Sequence, residues 1–159
     1  MESAGGMQER KATLLDGQTA VLTREEPALR RQDLPLRAEP TALRTARGFA
    51  DAAAAEMGLD ENARFRFTLA ANEAVANAIE HGAPRADGTV LLRISSDADS
   101  LCFEVHDCGG FGVNWSEPDP LSERGRGLPL MAALVDEVDL RPGPDGTVVR
   151  LVVAVDQAA

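Results

Sequence analysis

Apolar residues recur at steps of three and four through Leu43, Ala46, Ala50, Ala53 and Met57. That period predicts an amphipathic helix, entered at Pro40, whose fixed φ suits a first turn, and stopped at Gly58. A second helix is predicted from an Asp60 cap to about His81, where Gly82-Ala83-Pro84 breaks it. Elsewhere the period is two. Leu34 and Leu36 alternate with polar neighbours, a short strand. Val90, Leu92 and Ile94, then Leu101, Phe103 and Val105, alternate on either side of a turn at 97–100 and predict a β-hairpin. Val138 and Leu140, a turn at 142–146 and an apolar run at 148–155 predict two more strands, and a short apolar helix precedes them at 128–134. Residues 107–123 are rich in glycine, proline and acids without periodicity, a loop whose length marks a functional lid or an unstructured segment. Residues 1–30 show one apolar patch, Ala20-Val21-Leu22, and are expected to be an N-terminal extension holding at most one short strand. The domain itself is expected to occupy 31–159. Hairpin strands and grouped helices predict an α+β two-layer sandwich rather than a doubly wound parallel sheet.

Composition narrows the function. Asp plus Glu number 26 against 16 Lys plus Arg, a formal net charge of −10. Such a balance opposes binding to nucleic acid or an anionic membrane surface. Only 4% of residues are aromatic and none is Tyr, poor material for base stacking. No apolar run is long enough to span a bilayer, and residues 1–10 lack the order of a secretory signal. Cys102 and Cys108 are then expected to be free thiols, without the ligand spacing of a zinc site. The expectation is a cytoplasmic protein that touches neither membrane nor nucleic acid.

Two segments carry candidate chemistry. On a helical wheel over 68–81, Thr68, Ala71, Ala74, Val75, Ala78 and Ile79 share one side, and Glu73, Asn77, Glu80 and His81 the other. Glu73, Asn77 and His81 are four apart and stack along one face. Asn, not Lys or Arg, follows Glu73 at the fourth position, and Leu69 and Ala70 flank the arc. A carboxylate above a carboxamide suits a base beside an oxygen ligand for a hard cation, and an ordinary solvated face is the alternative. The second signal is glycine. Asp107-Cys108-Gly109-Gly110-Phe111-Gly112 follows an apolar strand, so an acceptor sits where the backbone can approach a ligand closely, or the segment is a plain turn. Arg124-Gly125-Arg126-Gly127-Leu128 opens a helix whose amides can face an anion, or serves as a hinge. Neither matches a P-loop or a dinucleotide fingerprint. Met131 reads as core, His106 as structural, and Asp136, Glu137 and Asp139 as solvated.

Three segments in order, Asn72–Gly82 (NEAVANAIEHG), Asp107-Cys108-Gly109 and Gly125-Arg126-Gly127-Leu128-Pro129-Leu130-Met131, resemble the GHKL ATPase superfamily of gyrase, histidine kinases and heat-shock chaperones. Within it the chain is most similar to the short anti-sigma-factor serine kinases of the RsbW type, a likeness that extends through Asp145-Gly146-Thr147 and covers about residues 32–155. The resemblance implies an α/β sandwich of the Bergerat ATP-binding type, with a mixed sheet and helices on one face. It implies ATP and Mg²⁺ as cofactors, Asn77 as the metal ligand and Glu73 as the general base. Asp107 would hold the adenine amino group, with Gly109 and Gly110 admitting the ring and Thr147 supporting it from the last strand. Arg124, Gly125, Arg126, Gly127 and Leu128 would form the lid hinge and phosphate cradle. The implied activity is phosphorylation of a serine on a STAS-domain anti-anti-sigma protein, with sequestration of a sigma factor and a homodimeric state. Phe111 stands where the family usually has its second glycine, so a regulatory module that binds nucleotide or a partner without phosphotransfer is the competing expectation.

Overall fold

The computed structural model describes residues 10–13, 19–22, 29–109 and 127–156. The chain opens with a hairpin of β1 (Arg10–Thr13) and β2 (Thr19–Leu22). Then come β3 (Arg30–Arg37), one turn of 3-10 helix (Pro40–Ala42), α1 (Leu43–Glu56) and α2 (Glu61–His81). After β4 (Thr89–Ser96) and β5 (Ser100–Asp107), the chain continues through α3 (Gly127–Leu134), β6 (Glu137–Gly143) and β7 (Gly146–Ala154). Local chemistry sets these boundaries. Asp60 accepts the Ala63 amide at 2.8 Å and caps α2, while Gly58, at φ +78, ends the preceding helix. Asp97 accepts the Asp99 and Ser100 amides and thereby closes the β4–β5 turn. The N-terminal extension holds two strands where one was expected. β1 reads Arg-Lys-Ala-Thr, with no apolar alternation to betray it, and it pairs with β2 from Arg10↔Leu22 to Thr13↔Thr19.

The main sheet has the order β3-β4-β5-β7-β6, and all four pairings are antiparallel. This corrects the mixed sheet that the family resemblance implied. β5 and β6 do run in the same direction, but the β6–β7 hairpin inserts β7 between them, so no parallel ladder forms.

One face of the sheet and the helices share the core. Val90, Leu92, Ile94, Leu101, Phe103, Val105, Val149 and Leu151 meet Ala46, Ala50 and Ala54 of α1, and Phe67, Ala70, Ala71, Ala74, Val75 and Ala78 of α2. Small residues on both helices let them lie close to the strands. α1 and α2 are joined at their rims, where Arg64 meets Asp51 at 2.8 and 3.1 Å and Arg47 donates to Asn72 at 3.1 Å. The other face of the sheet carries one residue per strand in register, Asp33, Arg93, Glu104, Arg150 and Asp139. Charges alternate along this row. Arg93 lies 2.8 Å from Asp33, and the guanidiniums of Arg93 and then Arg31 hold that carboxyl below the usual carboxylate range. The His106 ring nitrogen lies 3.1 Å from the Glu104 carboxylate of the same row. Asp136 is more than solvated, since its carboxylate accepts the Ala154 amide at 2.7 Å. Among the described residues, no helix is long and apolar enough to cross a membrane.

Candidate functional site

The end of α2 and the end of β5 are locked together around one carboxylate. Asp107 closes β5 opposite Thr147 of β7. Its Oδ1 accepts the Gly109 amide at 2.7 Å, while the Thr147 hydroxyl, on a side chain 2% exposed, donates to the Gly109 carbonyl at 2.9 Å. The Cys108 amide donates to the Ala83 carbonyl at 2.9 Å, which ties the strand end to the residues just beyond α2. Two glycines make this approach feasible. A Cβ on Gly109 would sit 2.7 Å from the Ala83 nitrogen, and one on Gly82 would sit 2.8 Å from the Asp107 carboxyl carbon and 2.5 Å from the Ala78 carbonyl. Any side chain at either position would push the two elements apart.

The surroundings of Asp107 penalise its charge. Burial raises its pKa, and the amides of Gly109 and Ala83 offset only part of that. The folded protein therefore holds this proton more tightly than the unfolded chain does. The stability that follows is fully present below the ordinary aspartate range and is lost as pH rises through the raised value. Asp107→Asn keeps an oxygen for the Gly109 amide and removes the charge. Its melting temperature relative to the native protein is expected to be more favourable at pH 7 than at pH 4, measured by scanning calorimetry. The reverse ordering would show that the carboxylate is not desolvated.

Glu73 and Asn77 lie upstream on the same helix. Gly82 follows Asn77 by five residues and Glu73 by nine, about 7 and 13 Å along the axis. Arg66 is seven residues before Glu73, hence nearly on the same line of the helix, and it donates to the Ala133 carbonyl of α3 at 3.0 Å. The Glu73–Asn77 edge is therefore the one beside α3. Both side chains are half-buried, and neither has a hydrogen-bond or ion-pair partner among the described residues. A carboxylate and a carboxamide are hard oxygen donors. Among the described residues no group of three His, Cys, Asp or Glu could hold a metal ion. One or two protein oxygens completed by phosphate and water is the ligation that Mg²⁺ ordinarily accepts, so this donor set fits that ion and not a closed protein cage.

The structure thus places Asp107, Gly109 and Thr147 at one junction, with Asn77 and Glu73 on the helix that ends there. Gly127 is the first residue of α3, and Leu128 is half-buried against the core. Gly110, Arg124, Gly125 and Arg126 lie outside the described residues, as does Phe111. The role of Gly82 and Ala83 as the other half of the junction was not anticipated. The sequence signals it only through the helix break at Gly82-Ala83-Pro84 and the place of Gly82 at the end of the Asn72–Gly82 segment.

A family model described as the histidine kinase-like ATPase domain matches residues 36–153, about three quarters of the chain and all of this junction. The chain belongs to that family. Among solved structures this ATPase domain is similar to the crystal structure of the RsbU and RsbW domains of Rv1364c from Mycobacterium tuberculosis, at 25% identity and a TM-score of 0.63. That match covers 82% of this chain and 34% of the other, so the chain spans about a third of its relative's length. The fold also matches the histidine kinase domain of the blue-light-activated histidine kinase EL346 from Erythrobacter litoralis, at 24% identity and a TM-score of 0.50, covering 71% of this chain and 61% of that one. No curated protein sequence matches significantly.

Proposed function

We propose that this ATPase domain binds Mg-ATP and phosphorylates a serine or threonine of a STAS-domain anti-anti-sigma protein, and that in the cytoplasm it sequesters a sigma factor, as a homodimer. The observation that carries the reading is the junction of Asp107, Gly109 and Thr147 at the end of the helix that presents Asn77 and Glu73. Asp107 accepts the exocyclic amino group of adenine, and Gly109 lets the ring lie against backbone. Thr147 fixes the Gly109 peptide. Asn77 and Glu73 then lie farther along the helix, as an elongated nucleotide requires. Bound Mg²⁺ supplies charge neutralisation at the phosphates, and Asn77 is the side chain that would hold it. Glu73 takes the proton of the attacking hydroxyl as its oxygen bonds to the γ-phosphorus and the bond to ADP breaks. The amides at the start of α3, with Gly127 and Leu128, would meet the phosphates at the hinge, and the phosphate roles of Arg124, Gly125 and Arg126 and the adenine-edge role of Gly110 rest on the family resemblance alone.

The test is incubation of the full chain with radiolabelled ATP, Mg²⁺ and candidate STAS proteins. Label on a STAS serine or threonine, lost with Glu73→Gln, supports the kinase. Nucleotide-independent partner binding with no transfer supports the non-catalytic module instead.

A further inference from the structure

A half-open cleft of about 510 Å³ lies between the last turn of α1 and the end of the sheet remote from Asp107. Leu101 lines it, and six residues of β5 separate Leu101 from Asp107, about 20 Å. Ala53, Met57, Ile94, Leu101 and Val155 make its floor apolar. Ser96 stands in its wall, 9% exposed, on the helix-side face of β4, and its hydroxyl has no hydrogen-bond partner among the described residues. Lining the cleft, that hydroxyl can both donate and accept, so it is a ready contact for an occupant. The rim is acidic. Glu56 is matched by Arg30 at 2.8 Å, while Asp97 and Asp156 face no cation among the described residues. Asp97 is held in its ionised form first by the Asp99 amide.

We propose that this cleft is a docking pocket for a segment of a partner protein in which an apolar side chain is followed by lysine or arginine. The aliphatic side chain fills the floor, where area removed from water supplies the affinity. Ser96 Oγ hydrogen-bonds the segment's backbone. The basic residue meets Asp97 and Asp156, and a chain of net charge −10 steers a cation toward it. An anionic segment finds the same floor but a repelling rim. The pocket is distinct from the Asp107 junction, so occupancy of one does not block the other.

The probe is the peptide acetyl-Gly-Leu-Lys-Leu-Lys-Gly-amide, titrated into the full isotope-labelled chain and followed by NMR, with the glutamate-for-lysine peptide as its counterpart. The lysine peptide is expected to give saturable shifts centred on Met57, Ser96 and Asp97, and to bind at least about tenfold more tightly than its counterpart. Ala53→Leu should plug the floor and abolish the shifts without unfolding the protein. Asp156→Asn should weaken binding about 2–5-fold, and Arg30→Gln, which frees Glu56, should strengthen it by a similar factor. Equal response to both peptides, shifts centred on Asp107, or no saturable shift would each overturn the proposal.

Discussion

Glu73→Gln is expected to lower phosphotransfer to a STAS partner about 10²–10⁴-fold, the range over which a positioned general base acts. The substitution preserves shape and removes the proton acceptor. ATP affinity should change little, because the proposed reading puts adenine at the Asp107 junction, where α2 ends about 13 Å along its axis from Glu73, and the metal at Asn77. The loss should therefore fall on turnover and not on binding, which single-turnover transfer and equilibrium titration separate. Helix α2 should be unaffected, since Glu73 makes no side-chain hydrogen bond or ion pair to a described residue. A variant that transfers phosphate at the native rate would remove Glu73 from the chemistry.

Phe67→Ala is expected to destabilise the fold by about 3–5 kcal/mol, a large share of the roughly 5–15 kcal/mol that holds such domains together. Phe67 is fully buried on α2 and meets Phe103 of β5 edge to face, with ring centroids 6.2 Å apart and planes at 89°. The alanines that α1 and α2 present to the core are single methyls and too short to fill the space. The midpoint of urea unfolding should fall with an unchanged slope. Phe65, two residues earlier and 66% exposed, is the control, and its alanine variant should stay within about 0.5 kcal/mol of the native protein. A loss below 1 kcal/mol at Phe67 would mean that the α2–sheet interface is not sealed.

Most elements were legible because local rules and tertiary packing agree here. Asp60 caps α2 where the sequence placed a cap, Gly58 ends α1, and the alternation in 90–94 and 101–105 matches the buried faces of β4 and β5. What failed was what periodicity cannot carry. β1 is a strand by virtue of pairing with β2, not by its own pattern. The antiparallel sheet depends on where β7 inserts, which no single segment encodes. The site divides in the same way. Glu73 and Asn77 at helical spacing, and Asp107 before Gly109, could be read as motifs. That Gly82 must lack a side chain because Asp107 lies against it is a contact between residues 25 positions apart, visible only in the fold. The far cleft is equally silent, since Ser96 reads as an ordinary strand end.

The central claim, that nucleotide lies along α2 between Asp107 and Asn77, is tested most directly by calorimetric titration with ATP and with ADP, with and without Mg²⁺. The native chain is compared with Asn77→Ala and Asp107→Asn. The account predicts ATP binding that requires Mg²⁺ and is weakened by both substitutions, by about 10–100-fold where a charged hydrogen bond is lost at Asp107. Absence of binding in every condition, or binding indifferent to both substitutions, would contradict it.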